Sequence, residues 1–447
     1  MLIISLIGLL AFVSLYVINV RKKDGATLLL VFSAAIIPVL YCSLPVVFFE
    51  FSNLGFYQPN EVFDAHLMHA VYLVLALAAL RLTLKDEKPR SNTILHSVSF
   101  WFEANAFKVG IVTTAVYFIY ISQTSTTIYA VGDADEFIQN TREGDFGILG
   151  AISSLAMATA AMSGALLLRQ RRLIGFYAIV IFLVITSILG ASSFQRQSAL
   201  TPVFFLLACF TLTGQLKAAR RILIFGAVLF AAASPVIVYF REASTTNAEL
   251  EFTYESVANA AAENDLESIA RSMTRRADLI ENTINLQHHF DKHGFVDPYY
   301  YSTILTVPVP RRFMPNKPTA LSDDGTLSGE ISILAWSLER TGNGSLTAFG
   351  AITAYRQGGW VFVFADAILL GLTWSVLIKI LGRSSFMSNV FFIIVVNTIL
   401  IKKAPASFLE TIVATYTLLP FFVALLIVDS FIVRGAKRRF NRIARLG

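Results

Sequence analysis

Basic side chains gathered in one polar stretch are the residues best suited to chemistry on a phosphate group. The chain has 447 residues and is otherwise mostly apolar, and this stretch runs from about Arg241 to Gln357. A guanidinium group can bind two phosphate oxygens at once, which a lysine ammonium cannot do. The candidate phosphate ligands are Arg196, Arg241, Arg271, Arg275, Arg276, Arg311, Arg312 and Lys317.

The first cluster of arginines lies on a predicted helix. Residues Ala262 to Phe290 carry apolar side chains at spacings of three, four and seven, a helical stripe that needs a packing partner. Arg271 and Arg275 are four residues apart and share one face, with Arg276 beside them. Their repulsion, roughly 0.2–0.5 kcal/mol for each close pair, would be relieved by an anionic ligand. Neighbouring acidic side chains would also relieve it, so a solvated helix face is the alternative.

The second cluster lies in a proline-rich run from Val307 to Pro318. Each proline fixes a backbone angle, so the run is stiff before any ligand binds. Arg311, Arg312 and Lys317 would then be held in place for an anion. The alternative is a proline-rich surface turn whose charges are incidental.

Two single arginines lie next to predicted membrane spans. Arg196 is in a very short outer turn, where it is either a buried anion ligand or a side chain that reaches outward to the lipid headgroups. Arg241 ends the eighth predicted span, where an interfacial anchor is the alternative to a ligand.

Candidate general bases are few. His288 and His289 follow the arginine cluster, Glu330 lies further along the same stretch, and Glu410 lies near the outer start of the last predicted span. An imidazole has an ordinary pKa suited to taking a proton near neutral pH. A structural role is the alternative for each residue, and Glu410 could instead pair with a neighbouring lysine.

Several common catalytic motifs are missing from the sequence. It contains no Walker A loop, no dinucleotide-binding glycine pattern and no zinc-ligand spacing. One Asp-x-Asp occurs, at Asp133 to Asp135, in a loop otherwise without metal ligands. We therefore expect no metal, no cofactor and no ATP-driven step.

The composition is that of a polytopic membrane protein. The chain is 55% hydrophobic and 15% charged, and its mean hydropathy is +0.64. Several runs reach the length of about 20 apolar residues that crosses a bilayer. We predict an all-α fold with about eleven transmembrane helices. These predicted spans are 2–20, 26–48, 66–83, 106–122, 147–168, 173–190, 199–214, 222–240, 358–380, 386–402 and 408–433.

The basic residues predict the topology. More than half of the 36 Lys and Arg fall in one alternating set of loops, which the positive-inside rule assigns to the cytoplasm. The N-terminus is then outside and the C-terminus inside. The predicted organisation is transmembrane helices 1–8 in 1–240, a large partly helical outer loop in 241–357, helices 9–11 in 358–433, and a basic cytoplasmic tail in 434–447.

Three features resemble a known family. The run Pro310-Arg-Arg-Phe-Met-Pro-Asn-Lys-Pro318 is similar to the Pro-Arg-x-x-x-Pro-x-Lys-Pro run in the large outer loop of the O-antigen polymerases, the Wzy-type polymerases of lipid-linked oligosaccharide repeat units. Gly329-Glu330, followed by the glycine-containing run Ala348 to Trp360 before a span, resembles the Gly-rich segment of that family. The third feature is the turn of small residues around Arg196.

The resemblance implies a membrane glycosyltransferase with a GT-C-like fold in the bacterial inner membrane. It would polymerise undecaprenyl-diphosphate-linked oligosaccharide units into O-antigen of lipopolysaccharide or a related surface polysaccharide at the periplasmic face. Its implied partners are the donor and acceptor glycolipids, the bilayer and a chain-length regulator, and nucleic acid is not among them. The rivals are an O-antigen ligase and a flippase or transporter of lipid-linked oligosaccharides, which would show charged groups in the middle of the membrane.

Overall fold

The computed structural model describes residues 25–47, 53–84, 96–130, 146–191, 196–226, 228, 279–295, 350–381, 385–402 and 407–443. These residues form helices, and no β-strand occurs among them. In chain order, the main elements are α1 Gly25–Val47, a 3-10 turn Asn53–Phe56, α2 Pro59–Thr83, α3 His96–Ala104, α4 Ala106–Ala130, α5 Phe146–Arg169, α6 Leu173–Ala191, α7 Arg196–Leu212, α8 Leu279–His293, α9 Gly350–Leu381, α10 Phe386–Val396, a π-helix Asn397–Lys402 and α11 Phe408–Ile443. A further helical segment spans 216–226.

The chain divides into two compact units. Unit 1 comprises Met1–Asp86, Ser234–Val376 and Val396–Tyr416, and unit 2 comprises Glu87–Ala233, Leu377–Val395 and Thr417–Gly447. Unit 1 contains both candidate histidines, so the functional argument concerns that unit.

Three of the described helices are long and apolar enough to cross a membrane by length and composition. They are α2, residues Ile152–Arg169 of α5, and α9. Shorter apolar helices accompany them, including Gly25–Ala35 and Leu173–Thr186. The all-α expectation is confirmed for the described residues, and the helices are suited to a membrane. The number of eleven spans stays a prediction, and the first predicted span, 2–20, lies outside the described residues.

Unit 2 is built around closely packed helices rich in small residues. Ala158, Ala160 and Ala161 of α5 are fully buried. A Cβ added at Gly110 of α4 would collide with the side chain of Ile179 on α6. Small side chains allow helix backbones to approach closely, as in membrane helix pairs.

In unit 1, α2 and α9 pack equally closely. A Cβ added at Gly371 would collide with the carbonyl oxygen of Ala76 and would lie 2.8 Å from the Cβ of Ala79. Gly371 therefore allows the α9 backbone to lie directly on α2. This contact fixes α2, whose first turn carries part of the candidate site.

Helix α9 is interrupted near its start by a glycine pair. Gly358 and Gly359 have non-helical angles, and Gly359 has φ +67° and ψ −149°. Residues 350–357, which the sequence analysis assigned to the end of the outer loop, are helical before this break, and 351–357 are buried. The predicted start of the ninth span at 358 thus falls on the break, and helix α9 begins before it, at Gly350.

Candidate functional site

The histidine-bearing helix α8 is held on α1 and α2 by its apolar side. Leu279, Ile280 and Ile284 form a buried cluster with Cys42 of α1 and with α2 residues that include Val62. The sequence predicted a helical stripe here that needs a packing partner, and this is confirmed for Ile280 and Ile284. The packing leaves the polar side of α8, which carries the histidines, away from this cluster.

A buried hydrogen bond adds direction to this packing. The Nε2 atom of His69 on α2 lies 2.8 Å from Oγ1 of Thr283 on α8. The Thr283 hydroxyl donates to the carbonyl oxygen of Leu279 at 2.7 Å, so it accepts the proton of His69 Nε2. This hydrogen bond fixes the rotation of α8 about its own axis, because apolar contacts alone are compatible with several rotations.

His288 is held by a carboxylate at the start of α2. Its Nε2 atom lies 3.0 Å from Oε1 of Glu61, and the His288 side chain is 55% exposed. The second oxygen of Glu61, Oε2, accepts the backbone N–H of Gln58 at 2.8 Å. Glu61 lies in the first turn of α2, where an acidic side chain that bonds back to the preceding backbone caps the helix. The Glu61 carboxylate, held in place by this cap, is therefore a fixed partner for the accessible imidazole of His288.

His289 has different surroundings from His288. Its ring lies against that of His293 one turn later, with ring centroids 4.6 Å apart. Burial, and to a smaller extent the nearby His293, lowers the pKa of His289 from its ordinary value of 6.5. The shift favours the neutral, proton-accepting form of His289.

The C-terminal end of α8 is attached to the first segment of α9. The Tyr355 hydroxyl donates to Oδ1 of Asp291 at 2.7 Å. The ring of Phe295 meets the ring of Tyr355 edge to face, with centroids 5.7 Å apart. A Cβ added at Gly359 would lie 3.1 Å from the Cζ atom of Phe295. These contacts place the end of α8 at the glycine break of α9.

A buried carboxylate lies further along α9. Asp366 is 3% exposed, accepts the Tyr72 hydroxyl at 2.6 Å and accepts the backbone N–H of Phe408 at 3.0 Å. Asp366 belongs to a helix apolar enough to cross a membrane. The transporter alternative predicts charged groups within the membrane, and Asp366 is a carboxylate in a candidate membrane span.

The structure describes only part of the predicted site. His288 and His289 lie on α8 as predicted neighbours. Arg196 is the first residue of α7 and Glu410 lies in the first turn of α11, and the described structure covers their backbone only. The remaining predicted site residues lie outside the described residues; they are Arg241, Arg271, Arg275, Arg276, Arg311, Arg312, Lys317 and Glu330.

Sequence reasoning missed Glu61, although a signal for it exists. The segment Gln58-Pro59-Asn60-Glu61 before an apolar run has Pro at the first helical position and Glu at the third, a pattern typical of a capped helix start. The pattern predicts the cap, and only the folded chain brings His288 to the same carboxylate. Buried Arg356, next to Tyr355, was also missed as a candidate, although it lies within the glycine-containing run Ala348 to Trp360.

The described part of the chain contains no cluster of candidate metal ligands. No three side chains of His, Cys, Asp and Glu come together there as metal ligands, so the His289 and His293 pair is not part of such a group. Comparison with protein-family models, curated proteins and solved structures finds no match to this chain.

Proposed function

We propose that this chain is a membrane glycosyltransferase that takes a glycan from a lipid diphosphate and joins it to the hydroxyl of another lipid-linked oligosaccharide. The observation that carries the proposal is His288, an exposed imidazole held by a carboxylate in the first turn of a helix suited to crossing a membrane. A base in that position can act on a substrate whose lipid tail lies in the bilayer.

The length of α2 supports a location of His288 at the membrane surface. Its 25 residues, at a rise of about 1.5 Å each, extend about 37 Å. The hydrocarbon core of a bilayer is about 30 Å thick, so one or both ends of such a helix reach the headgroup layer. The diphosphate of a lipid carrier is part of that layer. His288 beside the first turn would therefore meet the headgroup end of the substrate.

The proposed reaction has one proton to move and one charge to stabilise. The acceptor hydroxyl forms a bond to the anomeric carbon of the donor, and its proton passes to His288. The bond between that carbon and the diphosphate oxygen breaks, and the electron pair leaves with the lipid diphosphate. A positioned base of this kind contributes about 10²–10⁴-fold to the rate.

The arginines of the outer stretch would stabilise the leaving diphosphate. Preorganised donors aimed at developing charge each contribute about 10²–10³-fold in rate. Arg275, Arg276 and Arg311 are the residues we assign this role first, because they belong to the two basic clusters within the predicted outer stretch 241–357. With arginines in this role the mechanism needs no metal ion.

Within this class we propose a repeat-unit polymerase. The support is the sequence of the proline-rich run Pro310 to Pro318. The proposal includes the eleven spans, a GT-C-like fold and an outer location of 241–357 in the bacterial inner membrane. The product would be O-antigen or a related surface polysaccharide made from undecaprenyl-diphosphate-linked units.

One observation favours a second candidate, a flippase or transporter of lipid-linked oligosaccharides. Asp366 is a buried carboxylate in a candidate membrane span, and ionisable groups in that position are often part of a transport pathway. The hydrogen bonds from Tyr72 and Phe408 give it a structural role as well, which is why we place this candidate second.

A deletion strain separates the candidates. Surface glycolipid carrying one repeat unit and no ladder is the result expected for a polymerase, whereas a core with no repeat unit indicates a ligase. Accumulation of the lipid-linked unit on the inner leaflet indicates a flippase. Complementation with His288→Ala should leave the single-unit pattern, and a normal ladder from that variant would refute His288 as the base. His289→Ala, which removes the other candidate histidine one position along the same helix, is the comparison variant.

A further inference from the structure

Glu61 uses both of its carboxylate oxygens, and each is committed to a different donor. Oε2 accepts the N–H of Gln58 at 2.8 Å, and Oε1 faces Nε2 of His288 at 3.0 Å. A carboxylate has no proton to donate, so the hydrogen in the second contact belongs to the imidazole. His288 therefore carries a proton on Nε2.

The position of that proton decides which nitrogen can act as a base. A neutral imidazole has one N–H and one lone pair, so a proton on Nε2 leaves the lone pair on Nδ1. The His288 side chain is more than half exposed while its Nε2 is occupied by Glu61. Nδ1 is thus the nitrogen left for a substrate hydroxyl.

We propose that Glu61 is a positioning residue that fixes the Nε2–H tautomer of His288, so that Nδ1 accepts the proton of the acceptor hydroxyl. This inference rests on the proposed function for its catalytic consequence, but the tautomer itself does not depend on it. The carboxylate also stabilises the imidazolium that forms when Nδ1 takes the proton. The transfer is balanced, because the proton leaves the hydroxyl oxygen as that oxygen bonds to the anomeric carbon.

Replacing Glu61 with glutamine tests this role sharply. Glutamine has one side-chain oxygen where glutamate has two, and both Gln58 N–H and His288 Nε2–H require an oxygen. A helix cap is retained by glutamine at this position, so the oxygen is expected to stay on Gln58. The amide NH₂ then faces His288 as a donor, and the imidazole proton moves to Nδ1.

The first readout is spectroscopic and independent of activity. Magic-angle-spinning NMR of the full-length protein in lipid, labelled with ¹⁵N and ¹³C histidine, distinguishes the two tautomers by their ring shifts. His288 is one of six histidines, and its signals are assigned by their loss in His288→Ala. We expect Nε2–H in the wild type and Nδ1–H in Glu61→Gln. Asp64→Asn removes the same charge one turn later on α2 and should leave the tautomer unchanged.

The second readout is kinetic and uses lipid-linked repeat units isolated from a strain that lacks this chain. We expect Glu61→Gln to lower kcat by about 10²–10⁴-fold with little change in KM, the effect of presenting the wrong nitrogen. In the His288→Ala background the same change should have no further effect, because Glu61 acts only through His288.

The outcomes separate this inference from the proposed function. Unchanged histidine shifts in Glu61→Gln, or equal and additive losses in the two backgrounds, would overturn the role of Glu61. Full activity of His288→Ala together with the expected tautomer change would instead overturn the proposed function and leave the pairing standing. An altered tautomer with unchanged kcat in Glu61→Gln also overturns the positioning role.

Discussion

Gly359→Ala tests whether the glycine break in α9 holds the end of the histidine-bearing helix. Gly359 has φ +67° and ψ −149°, a conformation that residues with a side chain rarely adopt. The backbone cost of alanine there is about 1–3 kcal/mol. The new Cβ would also lie 3.1 Å from Cζ of Phe295, so the ring must move. Because Phe295 is 48% exposed, that movement adds less than about 1 kcal/mol.

The total expected loss for Gly359→Ala is about 1–4 kcal/mol. Gly214→Ala is the matched control, since Gly214 has φ +74° and a Cβ there meets nothing within 4 Å. The control carries only the conformational cost, about 1–2 kcal/mol. Adding Phe295→Ala to Gly359→Ala removes the new contact and isolates its contribution as a double-mutant cycle.

Two measurements on purified protein give the result. The melting temperature, recorded at one scan rate because membrane proteins often unfold irreversibly, should fall further for Gly359→Ala than for Gly214→Ala. Hydrogen exchange should rise in α8, whose attachment to α9 is weakened, and stay unchanged in α5. Wild-type exchange in α8 of the Gly359→Ala protein would refute the idea that this contact anchors the helix.

The remaining predictions concern the charged groups. Arg275→Ala, Arg276→Ala and Arg311→Ala should each abolish long glycan chains on a gel of surface glycolipid while the protein still inserts, and normal ladders in all three would defeat the diphosphate role. Activity of the purified protein should survive EDTA, and a loss restored by magnesium would overturn the metal-free mechanism. The pKa of His289 is lowered by burial and by a neighbouring histidine, so the unfolded chain binds this proton more readily than the folded one. Stability should therefore decrease as pH falls from about 7 through that lowered pKa, and His289→Gln should show a smaller drop in melting temperature between pH 7.5 and pH 5; an identical drop would contradict this.

The helical stripe of α8 shows how far local pattern reaches. Ile280 and Ile284 are four residues apart, so any helix places them on one side, and an apolar side in water needs a partner. Both residues are buried against α1 and α2. The stripe does not predict which surface is the partner, because any sufficiently large apolar surface would bury these side chains.

The glycine break in α9 shows where local pattern misleads. The predicted ninth span starts at Gly358, where two glycines precede an apolar run. The chain is helical on both sides, because residues 350–357 are buried and a helix satisfies their backbone groups. The choice between a loop and a buried helical turn depends on what packs over the segment, and Phe295 is part of that packing.

The sequence by itself determined the all-α class, the apolar helices and the types of side chain available for chemistry. Hydropathy and helical period are local properties, and they are readable without knowing any neighbour. Only the tertiary structure decided that Glu61 meets His288 and that Asp291 meets Tyr355. Each pair comes from two helices far apart in the chain, and a hydrogen bond near 3 Å depends on how those helices cross, a geometry set by close packing of the whole unit.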